Sequence, residues 1–284
     1  MHLLAFDTST DAMSVAVLRS SPAGPQYWQH QGAGGAAASG SLIAAVMGLL
    51  RDADLRLRDL DAICFGSGPG SFTGLRTACS VAQGLAYGAG VPVLPVPSLL
   101  ALAQSARAAH ASQASEGCVS ALLDARMDEV YAATYAFTGD VWTTLQAPCL
   151  LAPEQVAAWA QSAHAAHAAT IALPGAVLNA PWRAWAGNVF ASYGERLSAP
   201  EGVFCCDALP QAMALLQVAP ALVAAGACVA PDQALPLYVR DKVAKTTGER
   251  ALEKAHKAGL VHAKAVSATS SVSLTAAYAQ TPRS

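Results

Sequence analysis

A glycine-rich turn between a strand and a helix contains the residues best suited to hold a phosphate. The stretch Cys64–Tyr87 contains an apolar strand, the turn Gly66-Ser67-Gly68-Pro69-Gly70-Ser71 and a helix predicted over residues 73–88. Glycines permit positive φ and close backbone approach, and free N–H groups at a helix start attract anions. Glycine spacing alone does not separate a phosphate-binding turn from a tight structural turn. Both interpretations therefore stay open from these residues alone.

Two histidines and two cysteines have the residue types of metal ligands. His164 and His167 form an H-x-x-H pair on a predicted helix at 153–166, but no acidic residue stands near them. Adjacent Cys205 and Cys206 also lack two further ligands nearby, which a structural metal site requires. We therefore expect solvated surface histidines and no metal. Seven cysteines without a C-x-x-C pair indicate mostly buried thiols in a reducing compartment.

The composition describes a well-buried globule with little net charge. Of the 284 residues 54% are hydrophobic and 13% charged, with a formal charge of −2. Such a balance provides no basic field for holding a polyanion by counterion release. No run of about 18 strongly apolar residues predicts a membrane span, and the amino end lacks the pattern of a signal peptide. We expect a cytoplasmic protein without membrane contact.

Hydrophobic periodicity predicts an α/β chain in two similar parts. The first part has three early strands followed by alternating helices and strands, and the second part begins again after residue 117. The predicted strands are Leu4–Thr8, Val15–Leu18, Gln26–Gln31, Ile63–Phe65, Val91–Val96, Val119–Asp124, Val130–Phe137, Val141–Leu145 and Thr170–Leu173. The predicted helices are Ser39–Leu50, Thr73–Gly88, Ser98–Ala109, Pro153–Ala166 and Leu209–Ala227. This repeated order suggests an internal duplication.

Four ordered blocks in the first 245 residues resemble one protein family. The blocks are Leu4–Thr10, Gly66–Arg76, Leu123–Tyr131 and Pro236–Arg240. Together they resemble the TsaB family of bacterial tRNA threonylcarbamoyladenosine biosynthesis proteins, paralogues of the catalytic subunit TsaD. The resemblance implies the two-lobed fold of actin, sugar kinases and the Hsp70 ATPase, with duplicated ribonuclease H-like lobes.

The resemblance also sets the expected domain limits. We expect an amino-terminal lobe at 1–112 and a carboxy-terminal lobe at 113–245. Residues 246–284 are rich in Ala, Ser, Thr and Lys, have few large apolar side chains and lie beyond the matching blocks. We expect this segment to be a mobile tail, because it cannot bury much apolar surface.

Asp7 and Ser9, together with Gly68 and Gly70, mark the nucleotide cleft that the resemblance implies. In relatives of this fold a carboxylate at the end of the first strand orients a metal-bound or water-bridged nucleotide phosphate, and adjacent hydroxyls contact phosphate. The alternative is a turn-capping Asp that hydrogen-bonds its own backbone. The cleft is therefore a weak, vestigial nucleotide site in this interpretation, and no bound cofactor is expected.

The helix before the glycine turn lacks the metal ligands of the catalytic paralogue. That paralogue is similar here but carries a pair of histidines on this helix, and metal ligation needs both imidazoles on one helical face. Residues 36–50 contain no histidine, and Ala38 and Leu42 stand about where the ligands would be sought. The resemblance therefore implies no catalytic residues and no metal in this chain. Peptidase chemistry is also disfavoured, because neither H-E-x-x-H nor G-x-S-x-G occurs.

Two helices of the first lobe are the expected partner surface. Small residues along 73–88 would let another helix approach closely, although packing on the chain's own sheet explains one face. The resemblance implies that these helices pair with TsaD or with a second copy. The interface candidates are Leu42, Val46, Leu49, Val81 and Leu85. Arg126, in a charged turn between two strands, is a weaker candidate for the interlobe cleft or a partner surface.

The resemblance implies a noncatalytic activating subunit for threonylcarbamoyl transfer to N6 of the adenosine beside the tRNA anticodon. The partners implied are a TsaD-type catalytic subunit, a TsaE-type ATPase and tRNA through the complex only, with a homodimer when alone. The alternative is a stand-alone ATP-dependent kinase or phosphohydrolase that uses Asp7 and the glycine turn. A third alternative, direct tRNA binding, is disfavoured by the acidic balance.

Overall fold

The computed structural model describes residues 1–111, 114–171 and 182–240, which contain two five-stranded sheets. In the first sheet the strand order is β3-β2-β1-β4-β5. Its strands are β1 (His2–Asp7), β2 (Ala12–Ser21), β3 (Gly24–Ala33), β4 (Ala62–Gly68) and β5 (Val93–Pro97). The first three strands are antiparallel, and β4 and β5 run parallel to β1.

The second sheet repeats this topology. Its strands are β6 (Glu116–Asp124), β7 (Val130–Thr138), β8 (Val141–Leu151), β9 (Trp182–Gly187) and β10 (Phe204–Asp207). The order β8-β7-β6-β9-β10 again has an antiparallel meander joined to two strands parallel to the first. The chain therefore has the duplicated ribonuclease H-like, actin-like fold that the family resemblance implies.

Among the described residues, six α-helices form layers on both faces of the sheets. They are α1 (Ala38–Asp52), α2 (Phe72–Ala89), α3 (Ser98–His110), α4 (Val156–Ile171), α5 (Phe190–Tyr193) and α6 (Ala212–Ala224). Helices α1 and α2 cover one face of the first sheet, and α4 and α5 cover one face of the second. Helices α3 and α6 share one apolar core with residues of both sheets, so α3 and α6 join the two halves.

Met1–Val239 form one compact unit, because this shared core spans both sheets. The predicted lobe boundary near residue 112 stays a prediction. The predicted tail at 246–284 lies outside the described residues. Among the residues that the structure describes, no helix is long and apolar enough to cross a membrane.

The segment after α6 returns to the first sheet and packs on α2. Val229 exchanges two backbone hydrogen bonds with Val93 at the edge of β5. The carbonyl of Ala234 then accepts hydrogen bonds from Cys79 and from the Gln83 amide on α2. This return brings the Pro236–Arg240 block to the glycine turn.

The strand prediction at Thr170–Leu173 is wrong where the structure describes it. Residues 170–171 end helix α4, and residues 172–173 lie outside the described part of the chain. The sequence analysis also missed β9 and β10, which are only six and four residues long. In β9 the tryptophans, glycine and small residues do not alternate with polar residues, so no period of two was visible.

Candidate functional site

Asp7 ends β1 and is buried, with only 1% of its surface exposed. Its Oδ1 accepts hydrogen bonds from the backbone N–H of Ser9 at 2.8 Å and from the Ser9 hydroxyl at 2.6 Å. Its Oδ2 accepts one from the hydroxyl of Ser98, the first residue of α3, at 2.8 Å. Burial raises the pKa of the Asp7 carboxyl, while these hydrogen bonds oppose the shift. Both carboxylate oxygens are therefore engaged within the chain.

The glycine turn packs directly on the β1 end, with no room for side chains between them. A Cβ on Gly66 would overlap the Asp7 carboxylate, and one on Gly70 would lie 2.7 Å from the Cβ of Ser9. A Cβ on Gly74, in the first turn of α2, would overlap the carbonyl oxygen of Thr8. At these positions only glycine lets the glycine turn and α2 come this close to the end of β1.

The predicted residues Asp7, Ser9, Gly68 and Gly70 are thus brought together, but by contacts with one another. The N–H of Gly68 donates to the Ser98 hydroxyl at 3.2 Å, and the N–H of Ser71 donates to the Ser9 carbonyl at 2.7 Å. The sequence analysis missed Ser98, which follows β5 and lies 91 residues from Asp7. No local sequence signal identifies such a long-range partner.

The return segment covers the other side of the glycine turn. The N–H of Leu237 donates to the Ser67 carbonyl at 2.7 Å. The ring of Tyr238 lies 5.4 Å from that of Phe72, and its hydroxyl accepts a hydrogen bond from Arg76 at 3.1 Å. The fourth matching block of the sequence therefore belongs to the same junction as the glycine turn.

A cleft of about 740 Å³ lies between the turn after β1 and the carboxyl ends of β9 and β10. The lining residues are Thr10, Asp11, Ala12, Ser105, Ala106, Ala109, His110, Gly187, Asn188, Asp207, Ala208, Leu209 and Gln211. The lining includes two carboxylates, and no lysine or arginine is among these residues. A cleft of this size can accept a small molecule.

Arg126 lies in the turn between β6 and β7 and reaches the first half of the chain. Its guanidinium is 3.2 Å from a carboxylate oxygen of Asp11, which lines the cleft, and 3.2 Å from one of Asp124. Arg126, Met127 and Asp128 have φ of 61°, 59° and 61°, in the left-handed region that non-glycine residues rarely adopt. Arg126 therefore contacts a residue that lines the cleft, and its role there or at a partner surface stays a prediction.

The prediction of a solvated histidine pair is wrong for His164. This residue is 4% exposed, its Nε2 lies 3.1 Å from the Ser120 hydroxyl, and burial lowers its pKa to about 4. The error has a simple physical cause, since alanines surround both histidines and mask the helical face that packs on the sheet. Within the described ranges, no three His, Cys, Asp or Glu residues form a group that could hold a metal ion.

The interface candidates divide by burial. Leu42 and Val46 on α1 are fully buried against the first sheet, and Leu49 is nearly so. Val81 and Leu85 on α2 are partly buried against the same core. Leu42, Val46 and Leu49 therefore pack within the chain, whereas Val81 and Leu85 keep part of their surface exposed. The interface role of these five residues stays a prediction.

Other apolar residues of α1 and α2 are exposed. Ile43 and Met47 on α1 are 51% and 47% exposed, and Tyr87 on α2 is 83% exposed. The two helices contact each other and cover the same face of the first sheet. We call Ile43, Met47 and Tyr87 the outer apolar set. Sequence periodicity selects the core-facing residues of a helix, so it missed these three.

Ala38 and Leu42 are both buried against the first sheet. Their alkyl side chains have no lone pairs for a metal ion. Helix α1 therefore supplies no imidazole at the two positions where the sequence analysis looked for ligands.

Comparisons with known proteins agree with this architecture. The family model for TsaD, tRNA N6-adenosine threonylcarbamoyltransferase, matches residues 36–272, so the match extends beyond residue 245. The tRNA threonylcarbamoyladenosine biosynthesis protein TsaB of Escherichia coli (strain K12) is 31% identical over 254 residues, which cover 86% of this chain and 96% of the relative. The solved structure of YeaZ from Pseudomonas aeruginosa is 34% identical with a TM-score of 0.66, covering 84% of this chain and 99% of that one.

Proposed function

The chain belongs to the TsaB family of tRNA threonylcarbamoyladenosine biosynthesis proteins, and we propose that it acts in that modification as a noncatalytic subunit. In this proposal it binds a TsaD-type transferase and holds it in its active arrangement. A partner changes such an equilibrium only by binding one state more tightly, so this chain must prefer the active TsaD conformation.

The observation that carries the proposal is the outer apolar set on α1 and α2. Ile43 and Met47 are four residues apart and so lie on the same face of α1, and exposed large apolar side chains that cluster on a surface are typical of interaction sites. Ile43, Met47 and Tyr87 offer apolar area that a helical partner surface could bury, at about 25 cal/mol per Å². The proposed interface therefore uses these exposed residues, with the predicted Leu42, Val46, Leu49, Val81 and Leu85 supporting the helices from beneath.

The geometry around Asp7 supports this proposal over a stand-alone kinase or phosphohydrolase. A catalytic or metal-orienting carboxylate needs an oxygen directed at its ligand. Three donors from Ser9 and Ser98 occupy most of the acceptor sites of the Asp7 carboxylate, and the residues lining the cleft include no lysine or arginine. We therefore interpret Asp7 as a structural residue that fixes the junction between β1, the glycine turn and α3.

Further partners complete the proposal. A TsaE-type ATPase docks on the pair of subunits, tRNA is the substrate of the complex, and a second copy of this chain covers α1 and α2 when TsaD is absent. A cytoplasmic location is also proposed, since seven free cysteines, several of them buried, suit a reducing compartment.

The test is calorimetric binding of the chain to a matching TsaD-type subunit. Ile43→Glu and Met47→Glu place a carboxylate in the proposed contact, and we expect each to weaken binding at least tenfold, about 1.4 kcal/mol. Val141→Glu is the matched control, because Val141 is also exposed but lies on β8 of the second sheet. Equal affinities for all four proteins would contradict the proposed interface.

A further inference from the structure

A second exposed surface of α2 lies at the amino end of the helix. Phe72 begins α2 and is 37% exposed, and Tyr238 of the return segment lies beside it and is 46% exposed. Arg76 is also exposed and lies one turn further along α2. Tyr87 of the outer apolar set is about 22 Å from Phe72 along the helix axis, at 1.5 Å per residue. We call Phe72, Arg76 and Tyr238 the stacking group.

Contacts within the stacking group hold its three planar side chains together. The rings of Phe72 and Tyr238 have centroids 5.4 Å apart, with their planes at 35°. The guanidinium carbon of Arg76 lies 3.8 Å from the centroid of the Phe72 ring, and its Nε donates to the Tyr238 hydroxyl at 3.1 Å. The N–H of Leu237 donates to the Ser67 carbonyl and fixes the backbone next to Tyr238. Because these groups are held before a ligand arrives, binding costs less conformational entropy.

The positive charge of Arg76 is available to an anionic partner. Residues 1–240 contain ten arginines and no lysine, and five of these arginines have a carboxylate within 4.0 Å. In the part of the chain that the structure describes, Arg76 makes no such ion pair and contacts the two aromatic side chains instead. The stacking group therefore combines exposed aromatic rings with a positive charge.

We infer that the stacking group binds an unpaired nucleotide of the tRNA substrate, with the base on the aromatic rings and a phosphate against Arg76. Proteins stack the unpaired bases of RNA on aromatic side chains and on arginine guanidinium planes. A nucleotide matches both properties of this surface at once, because it has a flat aromatic face and carries a negative charge. The inference rests on the proposed function, which makes tRNA the substrate of the complex.

A stacking contact is compatible with the small negative charge of the whole chain. Binding through a basic field needs many cations, but stacking of one base depends on the faces of the rings. One phosphate contact to a single strand contributes only about −0.7 to the slope of log K against log salt. The stacking group therefore adds one local contact to the grip of the TsaD-type subunit on tRNA, and it does not replace that grip.

The experiment measures the affinity of fluorescent unmodified tRNA for the complex of the full-length chain with a matching TsaD-type subunit, by anisotropy. Removal of an aromatic ring that stacks on a base weakens binding by about fivefold to a hundredfold, so we expect Tyr238→Ala to raise the Kd at least about fivefold. Tyr27→Ala is the matched control, because Tyr27 is also 46% exposed but lies on β3. Equal Kd values for both variants would overturn the inference.

Tyr238→Leu separates an RNA contact from a protein contact at the same surface. Leucine keeps an apolar side chain but has no aromatic face, so we expect tRNA affinity to fall as it does in Tyr238→Ala. Calorimetric binding to the TsaD-type subunit should stay at the wild-type value. Retained tRNA affinity, or weaker binding of the TsaD-type subunit, would overturn the inference in favour of a protein occupant.

Arg76→Gln tests the phosphate contact separately from the rings. The variant removes one positive charge, so across a salt series the slope of log K against log salt should become less steep by about 0.7. Tyr238→Leu should weaken binding with an unchanged slope, because it removes no charge. An unchanged slope in Arg76→Gln would contradict the phosphate contact.

Transfer assays distinguish failure of this inference from failure of the proposed function. With Tyr238→Leu we expect a higher KM for tRNA and an unchanged kcat, since the outer apolar set is intact. An unchanged KM, with normal activation of the TsaD-type subunit, would refute the stacking contact and leave the activating role in place. Absence of activation by the wild-type chain would instead refute the proposed function.

Discussion

Substitutions of Asp7 test whether its carboxylate has a structural or a catalytic role. Asp7→Ala removes the acceptor of three donors, namely the Ser9 N–H and the hydroxyls of Ser9 and Ser98. Each buried donor left unsatisfied costs about 1–3 kcal/mol, so we expect the free energy of unfolding to fall by at least about 3 kcal/mol. For a compact unit of this size, that corresponds to a melting temperature about 6–12 °C lower.

Asp7→Asn is the informative counterpart. The amide keeps an oxygen for both Ser9 donors, and the Ser98 hydroxyl can rotate to accept from the new NH₂ group. We expect a loss of about 1 kcal/mol or less, measured by urea denaturation, with activation of the TsaD-type subunit retained at saturating protein. The reasoning is refuted if Asp7→Asn folds stably but abolishes activation, or if the wild-type chain alone hydrolyses ATP and this variant does not.

Three further perturbations test the packing and electrostatics of the described residues. Gly66→Ala should lower the free energy of unfolding by about 2 kcal/mol or more, because the new Cβ would overlap the Asp7 carboxylate. Gly84→Ala should instead stabilise α2 by about 1 kcal/mol, because a Cβ there would meet nothing within 4 Å. Thermal unfolding of the two variants measures both effects. His164 is buried in its neutral form, and burial lowers its pKa from 6.5 to about 4. The stability that the neutral imidazole contributes to the fold at neutral pH is therefore lost as the pH falls from 6.5 towards 4. Relative to His164→Asn, the wild type should lose about 2 kcal/mol between pH 7 and pH 5 in urea titrations, and parallel pH profiles would contradict this. Arg126→Ala removes the ion pairs that this exposed guanidinium makes with Asp11 and Asp124 and should change the free energy of unfolding by less than about 1 kcal/mol; a larger loss would mean that the turn locks the two halves together.

The sequence predicts the duplicated fold because its strong signals are local. Alternation in β1 and β2, the glycine turn after β4 and the apolar face of α1 each specify an element within about ten residues. Helix α2 also occupies nearly the range predicted for it. These signals suffice for an α/β chain in two similar parts, and the family resemblance adds the topology.

The candidate site was only partly predictable because its contacts are long-range. Ser98 and Leu237 join the Asp7 and glycine-turn region from distant parts of the chain, and no local pattern marks them. Conversely, Leu42 and Val46 were selected for an interface by their apolar character, which equally fits the core where they lie. An apolar residue on an amphipathic helix is more often buried than available to a partner.

The most direct test of the activating role is threonylcarbamoyl transfer to tRNA by matching TsaD-type and TsaE-type proteins, with and without this chain. A magnesium-ATP hydrolysis assay of the chain alone accompanies it. We predict that modification requires the chain, that Met47→Glu impairs it, and that the isolated chain hydrolyses no ATP. Equal modification without the chain would contradict the proposed function, and ATP hydrolysis that depends on Asp7 would support a kinase-like enzyme instead.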